Sequence, residues 1–103
     1  MGSSTYFKSV KWIKRGKVVS LSIRPKAILF DAPNGNVALY HAAKSFEILK
    51  KNYSKDKRWK NTKSMRVQYD CHVLSRGIKQ PWNLEPHRTE TRLPVVIAKG
   101  CNP

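Results

Sequence analysis

Residues 6–25 read YFKSVKWIKRGKVVSLSIRP, and this stretch decides the fold. Tyr6 to Ile13 has the composition of a strand, and Arg15-Gly16 is typical of a turn. From Lys17 to Arg24 apolar and polar side chains alternate, with Val19, Leu21 and Ile23 on one face. Pro25 cannot donate to a strand ladder and ends the run. The stretch therefore predicts an antiparallel β-hairpin.

One helix is predicted after the hairpin, over about Val37 to Asn52. Asn36 ends a run of turn residues and is a candidate N-cap. The apolar side chains recur at helical spacing and form one stripe, made of Leu39, Ala42, Ala43, Phe46, Leu49 and Tyr53. Such a stripe is typical of a helix face packed on a sheet.

Two further strands are expected in the second half of the chain. Met65 to Val73 alternates apolar and polar residues, and Arg92 to Ala98 is apolar with a proline near its start. The basic segment from Asn52 to Ser64 is expected to be a loop. We therefore predict an α+β domain, with a mostly antiparallel sheet of about four to five strands and one main helix across it. Residues 1–4 resemble an expression leader, and 5–103 form a single domain.

The charge is the extreme property of this 103-residue chain, with 21 Lys and Arg against 6 Asp and Glu, a net charge of +15. Residues 1–30 carry seven basic side chains and no acidic one, and residues 44–66 carry nine against two. Two basic stretches with so little acidic interleaving favour a surface that faces a polyanion, RNA or DNA above all. No apolar run is long enough to span a membrane.

Cys71 and Cys101 are the two cysteines of the chain. They could form a disulfide, remain as two buried thiols, or supply half of a metal site. Zinc is disfavoured because no CxxC motif or histidine cluster accompanies them. A disulfide would imply export to an oxidising compartment.

Three short motifs in the last third of the chain carry a family resemblance: Asp70-Cys71-His72, the PWNLEP run at 81–86, and GCNP at 100–103. Together they resemble a bacterial domain family of unknown function that closes secreted proteins, many of them from actinobacteria. The Trp12 segment and the SLSI run at 20–23 are similar too. The resemblance implies that Cys71 and Cys101 are the paired cysteines of the family and that the parent protein is exported. It implies no reaction, and this chain is richer in lysine than the family.

The polar face of the expected Met65–Val73 strand is the first candidate for chemistry. Side chains two apart on a strand share a face at roughly 6.5–7 Å, which would bring Asp70 and His72 together beside Arg66. A histidine with a carboxylate neighbour can act as general acid or base, and an arginine can stabilise an anion. These are the groups that metal-independent RNA cleavage needs, with His41 or His87 as the second proton carrier. Alternatively, Asp70 only pairs with Arg66 on an outer sheet face.

The segment WNLEPHR at 82–88 is the second candidate. Glu85, His87 and Arg88 are titratable or anion-binding groups on a proline-stiffened segment. Alternatively, the segment has a purely structural role, in which Trp82 and Leu84 close the sheet edge and Glu85 neutralises a nearby arginine. We call this the structural interpretation.

Basic residues around aromatic rings form the third feature. Aromatic faces stack on unpaired bases while lysine and arginine contact the phosphates. Trp59 is the ring expected to be exposed, whereas Trp12 is expected to join the core. The candidate anion-binding residues are Lys11, Lys14, Arg15, Lys57, Arg58, Trp59 and Lys60.

The leading hypothesis is an exported, toxin-like effector domain that cleaves RNA without metal or cofactor, with catalytic residues His72, Asp70, Arg66, His87 and Glu85. Its expected partners are RNA or DNA and a cognate acidic immunity protein. The chain lacks a Gly-rich phosphate loop, GxSxG, HExxH and an acidic cluster for two metals. The alternative is a non-catalytic cationic module that binds nucleic acid or an anionic component of the cell envelope.

Overall fold

A computed structural model describes residues 5–75 and 80–102 of the chain. In these ranges it contains three strands and four helices, in the order β1 (Phe7–Arg15), β2 (Val18–Pro25), α1 (Ala27–Phe30), α2 (Gly35–Tyr53), α3 (Thr62–Leu74), β3 (Trp82–Leu84) and α4 (Leu93–Ala98). None of these helices is long and apolar enough to cross a bilayer.

The hairpin is confirmed. β1 and β2 pair antiparallel, and Arg15 lies opposite Val18 across a two-residue turn. Gly16 has φ +60°, a conformation that costs glycine nothing, and it occupies the first central position as in a type II′ turn. Because such turns match the twist of the strands, the turn fixes the register from the Arg15–Val18 pair to the Ser9–Arg24 pair. The register shifts between Phe7 and Ser9.

β2 is the central strand of a three-stranded sheet, since the short β3 pairs antiparallel with its other side. Leu21 and Ile23 of β2 lie opposite Leu84 and Trp82 of β3, and all four side chains are fully buried. This face of the sheet packs against the helices and forms the main core.

The helix predicted after the hairpin is α2. Asn34, rather than Asn36, caps it, because the Asn34 side chain accepts a hydrogen bond of 3.0 Å from the Val37 amide. Most of the predicted stripe faces the core, where Ala42, Phe46 and Leu49 are buried. Leu39, which was assigned to the same stripe, is 38% exposed.

The second half of the chain corrects the predicted architecture. The Met65–Val73 segment is helix α3 and the Arg92–Ala98 segment contains helix α4, so the sheet has three described strands instead of four to five. The alternating pattern was ambiguous, because Met65, Tyr69 and Val73 also recur every four residues and are fully buried on one helix face. Pro94 lies in the first turn of α4, where a missing amide donor costs nothing.

Side-chain amides form hydrogen bonds with the backbone groups at the outer edge of β3. The Gln68 Oε1 accepts from the Glu85 amide at 2.7 Å, and the Gln68 Nε2 donates to the Glu85 carbonyl at 3.1 Å. Asn102 Nδ2 donates to the Asn83 carbonyl at 2.9 Å. Buried backbone groups are expensive to leave unpaired, so these two amides take the place of a fourth strand.

A disulfide joins Cys71 of α3 to Cys101, with their Cα atoms 5.4 Å apart. This confirms the predicted pair. The two sulfurs lie in a small second core with Val96 of α4. The bond holds the segment that carries Asn102 next to α3 and the edge of β3.

Replacing Gln68 by alanine tests the edge. We expect Gln68→Ala to lower the free energy of unfolding by about 1–3 kcal/mol, because the Glu85 amide and carbonyl lose their partner in a buried site. Urea unfolding of both proteins measures the change. The matched control is Asn52→Ala on the exposed side of α2, where we expect a change within about 0.5 kcal/mol. Equal stabilities of Gln68→Ala and wild type would contradict this role.

Candidate polyanion-binding groove

A basic groove of about 330 Å³ lies at the turn end of the hairpin. Three segments that are distant in sequence meet there: the hairpin turn, the segment between α2 and α3, and the residues after β3. The lining residues are Lys17, Val19, Lys57, Arg58, Lys60, Pro86 and His87. None of them is acidic. The groove thus brings together the predicted Lys57, Arg58 and Lys60 with His87, which the sequence placed in a separate candidate site.

Arg58 is held in place on one side of the groove. Its Nε and Nη2 donate to the two carboxylate oxygens of Asp56 at 2.9 and 2.7 Å, and its guanidinium lies 4.9 Å from the centre of the Trp12 ring. The side-chain hydrogen bonds from Arg58 are the main reason that the pKa of Asp56 is well below its usual value. The arginine is therefore pre-oriented, and it covers one face of Trp12.

Trp59 does not serve as a stacking surface. Its side chain is 9% exposed, its ring centre lies 5.8 Å from that of Phe46, and its Nε1 donates to Thr62 Oγ1 at 2.8 Å. The expectation that Trp59 is exposed is wrong, because the basic segment folds the ring into the core while its charged neighbours stay outside. Trp12 is partly buried against the core, as expected.

Asn61 connects the basic segment to the residues after β3. It adopts a left-handed backbone conformation with φ 53°, one that asparagine tolerates better than most residues. Its Nδ2 donates to the Pro86 carbonyl at 2.8 Å. This bond links the two walls of the groove and sets where His87 lies relative to Lys57 and Lys60.

Glu85 anchors two arginines beside the groove. Its Oε1 accepts from Arg88 Nε at 2.6 Å, and its Oε2 lies 3.6 Å from an Arg15 nitrogen. The carboxylate side chain is 8% exposed. This geometry matches the structural interpretation of the WNLEP segment, in which Trp82 and Leu84 are buried in the sheet and Glu85 neutralises arginine. Arg15 remains more than half exposed at the hairpin end.

Lys11 and Lys14 are exposed on β1 but do not line the groove. Lys14 lies opposite Val19, a groove residue, whereas Lys11 lies opposite Ser22 farther along the strand. Three groove residues were not among the predicted site residues, Lys17, Val19 and Pro86, and Lys17 is the cation among them. Its position next to Gly16 was the available signal, because a turn residue projects beyond the sheet.

The first candidate site, Asp70 and His72 beside Arg66, was predicted on a strand, but these residues lie on helix α3. On α3, side chains two apart point to different sides, so Asp70 and His72 do not share a face. Asp70 Oδ1 accepts from Arg66 Nε at 3.0 Å. His72 is 4% exposed, and its ring is stacked with that of Trp82 at 6.1 Å between centres. His72 is therefore separated from the other two residues, while Asp70 pairs with Arg66 as in the alternative interpretation. The catalytic role of these residues stays a prediction.

His41, the other predicted proton carrier, lies far from the basic groove. Its Nδ1 is 3.2 Å from the Tyr6 hydroxyl. Within residues 5–75 and 80–102, no three His, Cys, Asp or Glu side chains group in an arrangement that could hold a metal ion.

Residues 7–103 match the family described as "Protein of unknown function (DUF2599)". The chain belongs to this family. Uncharacterized proteins of Mycobacterium bovis and of two Mycobacterium tuberculosis strains are each 31% identical to it over 97 residues. The alignment covers 90% of this chain and 62% of each relative, so the chain spans about three fifths of their length. No solved structure matches it significantly. These matches do not test the expected export or the motif signature of the family, which stay predictions.

The pKa of Asp70 predicts a pH dependence of stability. Burial raises this pKa, and the hydrogen bond from Arg66 only partly opposes the rise. The folded state therefore binds a proton more readily than the unfolded state, whose aspartate pKa is about 3.9. As pH rises from that value through the raised folded pKa, wild type loses stability relative to Asp70→Asn.

Urea unfolding of both proteins at several pH values measures this difference. The two proteins share all other titrating groups, so those groups cancel, and the amide oxygen of the substituted side chain can still accept from Arg66. A wild type that gains stability over Asp70→Asn as pH rises through the window would contradict the assignment.

Proposed function

We propose that this domain binds the sugar-phosphate backbone of nucleic acid, RNA in particular, in the basic groove. The supporting observation is the meeting of Lys17, Lys57, Arg58 and Lys60 from two separate segments on one concave surface without a lining carboxylate. Burial of hydrophobic surface does not require this arrangement, and clustering of like charges opposes folding. A polyanion offsets the repulsion when it binds.

The ion pairs of the molecule support binding through lysine. Among the described residues, ion pairs join five of the six acidic side chains to a basic one, and four of these five pair with arginine. Within the described part of the chain, Lys17, Lys57 and Lys60 have no such carboxylate partner. Lysine is a mobile point charge that contacts phosphate well but lacks the planar fork that reads base edges. We infer that the groove binds without sequence preference.

His87 favours a second candidate function, RNA cleavage. It is the imidazole on the wall of the groove, next to the cations that would hold a phosphate. As a base, its imidazole would take the proton of the 2′-hydroxyl. That oxygen would then attack the adjacent phosphorus and expel the 5′-oxygen, which takes a proton from solvent water, to leave a 2′,3′-cyclic phosphate. The neighbouring lysines would stabilise the negative charge that develops on phosphorus.

Export of the parent protein is part of this proposal, and the Cys71–Cys101 disulfide supports it, since such bonds persist in oxidising compartments. A toxin-like role would follow from cleavage inside a recipient cell. In that case an acidic immunity protein would bind the same groove in the producer. Without cleavage, the groove is a cationic module for nucleic acid or for an anionic polymer of the envelope.

Neutralising the groove tests binding. We expect Lys57→Gln/Lys60→Gln to weaken RNA binding and to reduce the slope of log affinity against log salt by roughly 2, because two phosphate contacts are lost. Fluorescence anisotropy with labelled RNA between about 50 and 200 mM salt gives both quantities.

The matched control is Lys51→Gln/Lys63→Gln, which removes the same charge from exposed positions outside the groove. Equal losses in the two double variants would mean that net charge alone attracts RNA. A wild type that binds teichoic acid but not RNA would refute the nucleic-acid assignment.

Incubation of RNA with the protein in EDTA tests cleavage. We expect His87→Ala to stop the release of 2′,3′-cyclic phosphate ends while RNA binding persists, because the proton carrier is lost and the lysines remain. His72→Ala serves as comparison and is expected to lose stability, since its ring packs on Trp82. If RNA stays intact with micromolar wild-type protein, binding is the only proposed function that remains. If a folded His72→Ala variant loses cleavage while His87→Ala keeps it, His72 rather than His87 is the proton carrier.

A further inference from the structure

A second pocket, of about 400 Å³, lies at the end of the hairpin opposite its turn. It is lined by Tyr6, Ile28, Tyr40, His41, Lys44 and Ile48, which come from the start of β1, from α1 and from α2. Tyr40 is 58% exposed and Ile28 is 39% exposed, which makes them two of the most exposed large apolar side chains described. The nine residues of β1 separate this Tyr40 pocket from the basic groove by on the order of 25 Å.

An exposed aromatic ring and a cation lie together in the Tyr40 pocket. The Lys44 ammonium lies over one face of the Tyr40 ring, 5.7 Å from its centre, and the side chain as a whole is 58% exposed. The His41 ring meets Tyr40 edge-on, with centres 5.3 Å apart, and so limits the positions that the tyrosine can adopt. No lining residue is acidic. An occupant with a flat ring and an adjacent negative charge fits these walls.

Tyr6 orients the histidine of the pocket. The Tyr6 side chain is 3% exposed, and its hydroxyl lies 3.2 Å from His41 Nδ1. Burial raises the pKa of Tyr6, with a smaller contribution from Tyr40, so the hydroxyl keeps its proton. The contact between this hydroxyl and Nδ1 fixes the orientation of the His41 ring beside Tyr40.

The basic groove lacks a comparable aromatic surface. Trp59 is buried, and Trp12 is partly buried against the core with one face covered by Arg58. Binding in the groove therefore relies on phosphates, which duplex and single-stranded RNA both offer. A preference for unpaired nucleotides requires a ring that is open to stacking, and Tyr40 is such a ring.

We propose that the Tyr40 pocket is a second nucleic-acid contact, which takes an unpaired base on the Tyr40 ring and the adjacent phosphate against Lys44. This assignment rests on the function proposed for the basic groove and adds a preference for single strands. The hairpin separates the two sites, so one strand occupies both only when it is long enough to follow β1.

The test compares Tyr40→Ala with Tyr40→Phe on two probes of equal length, a single-stranded RNA of about 16 nucleotides and the corresponding duplex. Fluorescence anisotropy gives the affinities. We expect Tyr40→Ala to bind the single strand about 5- to 100-fold more weakly, the range that loss of one stacked base produces. Duplex affinity stays unchanged, and Tyr40→Phe keeps most of the single-strand affinity because a phenyl ring also stacks.

Three results would overturn the assignment. The first is unchanged single-strand affinity in Tyr40→Ala when Lys57→Gln/Lys60→Gln binds weakly, which leaves the function of the groove intact. The second is an equal loss on single strand and duplex. The third is weaker binding of Tyr40→Ala to phosphatidylglycerol vesicles but not to RNA, which would make the pocket a lipid contact. A wild type that binds neither probe refutes the groove and the pocket together.

Discussion

The structure depends on how the backbone groups at the outer edge of β3 find hydrogen-bond partners. A three-residue strand beside a long hairpin leaves backbone groups that need partners in a buried position. Gln68 bonds to both backbone groups of Glu85, and Asn102 bonds to the Asn83 carbonyl. Asn102 Nδ2 also lies 3.3 Å from Gln68 Oε1, so the two amides form one connected network. Buried networks of this kind specify one arrangement only when every member is satisfied.

The disulfide and the edge network act on the same part of the molecule. Cys101 precedes Asn102, and its bond to Cys71 places that asparagine beside α3, close to Gln68 on the same helix. By the chain-entropy account, closing a loop of 30 residues contributes about 3–4 kcal/mol to stability. This explains physically why the WNLEP and CNP runs occur in one chain. The first run supplies the edge of the sheet, and the second supplies the group that completes it.

Sequence reasoning succeeded where one periodicity was unambiguous. The hairpin has strict alternation plus a glycine turn, and α2 has a stripe that only a helix explains. It failed at α3, where Met65, Tyr69 and Val73 fit a strand face and a helix face equally. That error created the apparent Asp70–His72 pair and one of the two strands that are absent from the described sheet, the other being the Arg92–Ala98 segment that contains α4. Only part of the groove could be predicted. The basic composition of the segment indicated Lys57, Arg58 and Lys60, whereas the position of His87 beside them depends on the hydrogen bond from Asn61 to the Pro86 carbonyl.

The same edge network connects stability to the proposed site. β3 runs directly into Glu85, Pro86 and His87, so whatever fixes its edge also fixes one wall of the groove. Glu85 takes part in both, since its backbone bonds to Gln68 while its carboxylate holds Arg15 and Arg88. The carboxylate offsets one of these two positive charges, whereas the groove lysines have no carboxylate partner among the described residues. The fold thus separates its structural cations, which are mostly arginines in ion pairs, from the lysines that are available to a polyanion.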